Sequence, residues 1–533
     1  MSAFGRALAE ATPKRSRRSR RWVYVPYDQL TDAVGPLAET PPGELGIVLV
    51  EAPAKAARRP YHKQKLALVL ANMRHFAVEQ AARGVQVRHE VAKGGYREAL
   101  ERVVSEVGPL AMMEAAEREL RVELEPLVRT GALSVAPHAA FLTTREDFVA
   151  SAGASPPWRM ETFYKHVRGK TGILMKGGKP EGGKYSFDAE NRRPWRGDPR
   201  APSLPRFEVD AITKEVGELV ATRFADHPGE LHTDRLPTTK ADAERLWAWA
   251  RESCLPFFGP FEDAMSTQSA TLFHTCVSSL LNLTRLLPAR LVADAAGLAR
   301  LPLASREGFV RQTLGWREFV RHVHRETDGF RTIAADGSAV PASELGASLP
   351  LPDAFWGKAS GLGCLDHVVT TVWRDGYSHH ITRLMILSNL ATLLGLDPRA
   401  LSDWFWVAYT DAYDWVVEPN VLGMGTYSAG PLMTTKPYVS GAAYIDKMSD
   451  YCGSCAFDPK KTCPITRLYW AFLAEHADRF AKNPRTSGPV ASARRRAEAE
   501  RAEDVRVRER VRELLGKGQL VTPASLVRRE RAR

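Results

Sequence analysis

Short apolar runs at residues 22–27 and 46–50 are bounded by turn-forming residues, whereas residues 64–82 carry apolar side chains at helical spacing and stop at Gly84. Residues 85–91 again read as a strand. Strand and helix alternate in this way to about residue 142. That pattern predicts a parallel α/β domain, whose crossover helices cover the sheet. Residues 177–205 are polar and rich in Gly and Pro, which predicts a connection between domains. Beyond residue 240 nearly every segment has helical periodicity: 241–252, 267–287, 306–325, 379–394, 399–413 and 464–480. No internal repeat is present. The resulting division is a disordered basic arm (1–21), an α/β domain (22–145), a connection (146–235), a helical domain (236–490) and a charged C-terminal tail (491–533), whose Arg-, Ala- and Glu-rich stretch from Ala493 is expected to form an exposed helix.

Length agrees with this division, since 533 residues exceed a single core and suggest about three domains. No run of eighteen apolar residues exists and the N-terminus lacks the apolar stretch of a secretion signal, so a cytoplasmic, nucleoid-associated monomer without a membrane span is expected. Lys and Arg (74) outnumber Asp and Glu (62), and the net charge of +12 favours a polyanionic partner. Part of the excess is concentrated in KRSRRSRR at residues 14–21, either a weak phosphate-binding arm or a solubilising tail.

Candidate chemistry is densest in Tyr451-Cys452-Gly453-Ser454-Cys455, followed by Cys463-Pro464, which places three of six cysteines within twelve residues. Three thiolates leave a tetrahedral or cubane site one ligand short. Cys364, after Gly361-Leu362-Gly363, is the best fourth ligand, because Cys254 and Cys276 lie in apolar helical surroundings that suit inert buried thiols. The spacing leaves a 4Fe-4S cluster and zinc both open, and it disfavours a disulfide in a chain without a secretion signal.

Several further motifs occur in order. They are Tyr61-His62-Lys63-Gln64-Lys65-Leu66, Met73-Arg74-His75-Phe76, the stretch from Gly182 to Arg192, Gly315-Trp316-Arg317-Glu318-Phe319, Tyr377-Ser378-His379-His380-Ile381-Thr382-Arg383-Leu384-Met385, Asp411-Ala412-Tyr413 with Pro419-Asn420-Val421-Leu422-Gly423-Met424, and Thr435-Lys436-Pro437-Tyr438. Over residues 22–485 the chain resembles the iron-sulfur bacterial cryptochromes and photolyases, the prokaryotic (6-4) photolyases. The resemblance implies a cryptochrome/photolyase fold: an α/β antenna domain with a Rossmann-like parallel sheet, joined to a large all-α domain that holds FAD and a 4Fe-4S cluster. It implies Cys364, Cys452, Cys455 and Cys463 as cluster ligands, and UV-damaged DNA as partner.

By the same resemblance, Phe261, His274, Thr275, Val277, Ser278, Leu281, Gln312, Arg317, Arg383, Asp411 and Tyr413 are expected to bind FAD. Arg383 and Asp411 form a charged pair beside the isoalloxazine ring. Trp356, Trp404 and Trp406 are expected to carry electrons to the flavin, with Phe405 where some members have a redox-active tyrosine. Either Val417 or Glu418 falls at the position facing flavin N5. His379 and His380 are the expected proton donors to the lesion, as an imidazole titrates near neutrality, and Tyr438 and Tyr444 are expected to line the lesion cavity. An antenna, 6,7-dimethyl-8-ribityllumazine, would contact Asp28, Gln29, Glu51 and Lys65. The family's Gly-Asp-Gln-Leu turn here reads Tyr27-Asp28-Gln29-Leu30, and Tyr27 puts a side chain where close backbone approach is needed. The expected activity is light-driven repair of (6-4) pyrimidine photoproducts. A cryptochrome without repair activity and an iron-sulfur nucleic-acid-binding protein similar to primase large subunits are the competing readings. Without the resemblance, the tryptophans and histidines read as core residues, Thr275 and Ser278 as ordinary helix residues, and Arg383 with Asp411 as a helix-to-helix salt bridge.

Overall fold

A computed structural model describes residues 2–12 and 20–527. Five parallel strands, β1 (Arg21–Tyr24), β2 (Leu45–Glu51), β3 (Gln86–Val91), β4 (Leu110–Met113) and β5 (Leu133–Ala136), form one sheet in the order β3-β2-β1-β4-β5. β2 is buried at all seven positions, and its apolar run Leu45 to Val50 fits a strand covered on both faces. Gly46 is required there, since a Cβ would lie 2.6 Å from the Trp22 ring on β1. The chain reverses its strand order between β1 and β4, and the crevice beyond their carboxyl ends is where an open α/β sheet receives a ligand.

The helix Lys63–Ala82 covers the sheet and is buried almost all round, because it also meets the helix Ala211–Arg223 and the helical half of the chain. His62 starts it, with Nδ1 accepting from the Gln64 amide at 3.0 Å, and the His62 amide donates to the Val407 carbonyl at 2.8 Å. Among the described residues, the remainder is helices and loops apart from a two-stranded hairpin at residues 175–180. Four helical stretches among the described residues contain π-wound turns, at Ala250–Cys254, Arg311–Arg317, Arg383–Ser388 and Pro419–Gly425. Such turns rotate the following side chains relative to an α-helix and recur at functional sites. No helix among the described residues is long and apolar enough to cross a membrane.

Three expectations about organisation need correction. Within 1–21, Ala3–Ala11 is a helix rather than part of a loose arm. Its Phe4 is buried edge-on against His89 at 4.8 Å, and the backbone amides of Ala3 and Phe4 donate to Glu215. Most of the basic run, residues 14–19, lies outside the described residues. The expected connection 146–235 contains Met160–Thr171, which packs into the helical half through Phe163 against Phe319. It also contains Ala211–Arg223, which packs on Lys63–Ala82. The expected exposed tail contains Glu498–Gly516, which buries Val507, Val511, Leu514 and Leu515 against Pro464–Glu475. Ion pairs lock it there, Arg467 to Asp504 at 2.9 Å and Arg508 to Glu475.

Candidate functional site

The pair expected beside a flavin is formed. Arg383 begins a π-wound turn and donates twice to Asp411, at 3.0 Å each, while its Nε donates to the Ser378 carbonyl at 2.7 Å. Ser278 Oγ also donates to the Asp411 carboxylate (2.7 Å), and Asn282 Nδ2 donates to its carbonyl (2.8 Å). Asp411 is buried, which would raise its pKa, but Arg383 and Ser278 overcome this and hold it below the ordinary carboxylate value. The segment bearing His274, Thr275, Val277, Ser278 and Leu281 is irregular, with Leu272, Cys276 and Thr284 at φ of 42°, 55° and 56°. Left-handed backbone at such residues costs energy and collects at ligand clamps. Val277 and Leu281 point into an apolar core with Trp247 and Phe258, while the Leu281 carbonyl accepts from Arg317 at 3.3 Å. Phe261 packs on Phe273 at 5.3 Å, in the wall rather than against the charged pair. Glu418 is taken up by Arg399 (2.6 Å), which leaves Val417 as the candidate facing residue.

Three histidines stand next to this pair. His274 and His379 stack at 4.4 Å and 4°, and His380 meets His274 edge-on at 5.3 Å. Burial pushes the pKa of His274 and His379 well below the ordinary imidazole value, helped at His274 by His379 and His380 and at His379 by His380 and Arg383. His274 Nε2 and His379 Nδ1 are buried without a hydrogen-bond partner, so the cavity wall is prepared for a polar ligand. His380 is half-buried; burial lowers its pKa, but the charge of Glu262 opposes that shift. Glu262 and Arg311 were not singled out from sequence. Glu262 accepts from Gln312 (2.7 Å), Asn191 (2.8 Å) and Arg311 (3.1 Å), a largely buried network behind the histidines. Tyr438 and Tyr444 are half-buried and share the electrostatic neighbourhood of Arg192 and Asp188. Tyr444 Oη lies 3.5 Å from Asp263, whose pKa burial and Glu262 raise to about 7.

The four expected cluster cysteines, Cys364, Cys452, Cys455 and Cys463, line one cavity walled by Leu362, Ile445, Phe457 and Ile465. Among the described residues no group of three or more His, Cys, Asp or Glu is placed to hold a metal ion. Burial and the neighbouring thiols raise the pKa of Cys364 far above the free value, and burial raises Cys452 to about 11 and Cys463 to about 12. Four thiols around an apolar cavity are a suitable donor set for an iron-sulfur cluster, whose cationic irons would supply the charge that keeps them ionised.

At the carboxyl end of β1, Tyr27, Tyr96 and Tyr413 lie together, at 5.8 and 6.3 Å between ring centroids, with Lys55 Nζ 4.5 Å over Tyr27 and 2.6 Å from Glu117. Asp28 is buried beside them, and burial raises its pKa to about 7 against the pull of Lys55. Asp28 Oδ1, Tyr24 Oη and Tyr413 Oη have no hydrogen-bond partner, so this crevice also fits a polar heterocycle. Tyr413 therefore faces this crevice. Gln29 turns its amide to the Met113 and Glu114 carbonyls (3.2 and 3.0 Å). The other two residues expected at the antenna have protein partners. Glu51 pairs with Arg74 (2.7 Å) and His89 (3.0 Å) in a separate cluster. Lys65 donates to the Trp406 and Ala412 carbonyls, joining the two halves of the chain. Both reach the nearest opposite charge or carbonyl, which a buried ion must do.

Trp404 is buried and lies 6.0 Å, edge-on, from Tyr409, whose ring carries the Arg383 guanidinium at 4.0 Å. Trp356 is half-exposed. Trp406 lies beneath the Arg59 guanidinium at 4.2 Å, a cation that raises the cost of oxidising the ring. Trp373 was missed, and it lies between Trp356 and Trp404.

This architecture, a parallel α/β body joined to a helical body, is the fold shared by photolyases and cryptochromes. The crystal structure of a bacterial class III photolyase from Agrobacterium tumefaciens superposes with a TM-score of 0.54 at 14% identity, covering 94% of this chain and 99% of the other. The cryptochrome of Synechocystis sp. PCC6803 gives 0.56 at 13% identity, covering 92% and 95%. A family model described as deoxyribodipyrimidine photo-lyase-related protein matches residues 23–236. A (6-4) photolyase of Agrobacterium fabrum is 35% identical over 489 residues, 88% of this chain and 95% of the relative. The chain belongs to the bacterial (6-4) photolyase family.

Proposed function

We propose that this protein repairs (6-4) pyrimidine photoproducts in DNA with light, using FAD bound between Ser278–Asn282 and the Arg383–Asp411 pair. Reduced FAD, when bound there, supplies the electron that opens the lesion. The chain's own residues do the rest. Arg383 and Asp411 fix the polar edge of the flavin pocket, and His274 and His379 present neutral nitrogens to the cavity. His380, beside Glu262, holds the proton for the lesion, while Tyr438 and Tyr444 flank the flipped base, whose damaged stacking makes extrusion cheap. Arg192, Lys436 and Arg485 surround Tyr438 with positive charge for phosphates, so binding should weaken with salt. The observation that carries this reading is the stacked pair of buried, unpartnered histidines next to a doubly hydrogen-bonded Arg–Asp pair. The test is light-dependent restoration of a (6-4) oligonucleotide, with a dark control.

Cys364, Cys452, Cys455 and Cys463 hold one 4Fe-4S cluster in this proposal. Anaerobically purified protein is expected to be brown, with about four irons per chain and matching sulfide. Replacing any one cysteine by Ala should chiefly lower soluble yield and thermal stability, because the site ties Cys364 to a segment far along the chain. Stoichiometric zinc without sulfide would contradict this.

The antenna crevice is proposed to take the ribityllumazine weakly. Tyr27 fills part of it and binds Lys55, so purified protein should carry less than one lumazine per chain. Tyr27→Gly should raise occupancy, read from lumazine fluorescence after release. Full occupancy in the unaltered protein would show that Tyr27 does not obstruct the site.

A further inference from the structure

We propose that a groove at the carboxyl ends of β2 and β3 binds a free mononucleotide. The groove is open, has a volume of about 660 Å³, and so falls in the size range of small-molecule sites. It shares no lining residue with the flavin pocket or the antenna crevice. Three segments meet around it: residues 53–57 after β2, residues 91–93 at the end of β3, and residues 223–227 at the end of the helix Ala211–Arg223. Open α/β sheets receive ligands on this side, outside the carboxyl ends of their strands.

The floor is apolar. Pro53, Ala54, Ala57, Val91 and Phe224 line it, and Val91, the last residue of β3, is 50% exposed. Phe224 is buried and meets the His227 ring edge-on at 5.0 Å, which makes one side firm and aromatic. The small side chains at 54 and 57 leave room for a planar ring. The backbone is set in advance. Gly229 takes a φ of 86°, and a Cβ there would run into the His62 ring, so the loop lies flat on the start of the helix Lys63–Ala82. The Lys63 amide donates to the Pro228 carbonyl at 3.1 Å and the Glu230 amide to the Trp373 carbonyl at 2.9 Å. Across the groove the Ala92 amide donates to the Glu51 carbonyl at 2.8 Å. A site built in this way loses little binding energy to ordering.

The polar lining selects the ligand. Lys93 and Arg223 enter from the end of β3 and from the last turn of the helix, and neither has an ion-pair partner among the described residues. Cations close by in the same domain are paired, Arg88 with Glu90 at 2.7 Å and Arg59 with Glu119 at 2.5 Å. Two unpaired cations give the groove a positive potential that a phosphate satisfies. Asp226 is the one carboxylate of the lining and is likewise without an ion-pair partner. It is an acceptor for sugar hydroxyls, the part an acidic residue takes in nucleotide-binding α/β sheets. His227 donates its Nδ1 proton to the Tyr61 carbonyl at 2.9 Å, which leaves Nε2 as a second acceptor. A flat ring, hydroxyls and a phosphate are joined in one molecule only in a nucleotide or a close analogue. Inorganic phosphate would leave the floor and both acceptors unused, and a lipid tail would leave the acceptors unpaired.

The test is isothermal titration of the full-length, FAD-loaded protein with AMP, unaltered and as Lys93→Glu, Arg223→Glu and Ala57→Trp. Added FAD keeps AMP out of the flavin pocket. One saturable site is expected, weakened by about tenfold or more in either charge reversal, the equivalent of losing one charge-assisted contact. Ala57→Trp should abolish binding by filling the floor. Adenosine and ribose 5-phosphate, which each lack one half of the recognised molecule, should bind more weakly than AMP by about tenfold or more. The three substituted positions are exposed, so the variants should melt with the unaltered protein, and any one that does so decides the matter. No saturable binding of AMP, equal affinity in the variants, or ribose 5-phosphate binding as tightly as AMP would overturn the proposal. So would displacement of AMP by an undamaged oligonucleotide, which would assign the groove to DNA. The titration needs no light and no lesion, so its failure is separate from a failure of the repair reading.

Discussion

His380→Ala is expected to abolish light-driven repair of the (6-4) lesion while leaving FAD and the iron-sulfur cluster bound. The imidazole at 380 is the one member of the histidine trio with an acidic group in its surroundings, since Glu262 favours its charged form. His274 and His379 are held neutral by burial and by the positive neighbours His380 and Arg383. Photoreduction of the flavin should persist in the variant, because no imidazole of the trio lies on the tryptophan path. His379→Asn should also lower repair, through lost packing on His274 at 4.4 Å. The sign of the pH dependence follows. The donor form of His380 exists below a pKa that burial sets under 6.5, so repair per photon should rise as pH falls below neutrality and decline as pH rises. A flat profile, or repair retained by His380→Ala, would remove His380 from the reaction. Repair rates and bound-flavin content, measured on the same preparations, check both points.

Arg383→Ala should cost more than activity. It strips Asp411 of its two hydrogen bonds from the guanidinium and leaves a buried carboxylate with Ser278 as its remaining side-chain donor. Breaking a buried ion pair from one side costs about 3–5 kcal/mol. The variant is expected to lose most bound FAD and to melt at lower temperature than the unaltered protein. Flavin absorbance after gel filtration and a thermal denaturation curve read the two losses. Arg383→Lys should recover little, because a single ammonium cannot reproduce the paired geometry or the contact with Tyr409. Full flavin occupancy in Arg383→Ala would place the flavin elsewhere.

The sheet was legible because its signals are local. The apolar run from Leu45 to Val50 and the helical spacing over 64–82 are strong periodic patterns, and the structure has a strand and a helix there. The cysteines were legible because three fall together, and Gly361–Gly363 supplied the clue to the fourth. Other features depend on contacts far apart in sequence. Trp373 looked like an ordinary helix residue on Gly363–Asp375, and its place between Trp356 and Trp404 follows from folding alone. Glu262 and Arg311 gain meaning only when they meet beside His380. The partners of Glu51 and Lys65, Arg74 and backbone carbonyls across the domain junction, likewise lie far away in sequence. The tail did carry a signal. Val507, Val511, Leu514 and Leu515 recur at helical spacing, but the Arg and Glu residues between them concealed an apolar face that packs on Pro464–Glu475.

The most direct measurement is a single-turnover assay with photoreduced protein and an oligonucleotide carrying one (6-4) photoproduct, single- and double-stranded, followed by chromatography of the restored strand. The account predicts restored pyrimidines in the light and none in the dark, with repair lost in His380→Ala. Protein that holds reduced FAD and binds the lesion yet restores nothing under illumination would contradict it and would make the chain a light sensor instead of a repair enzyme.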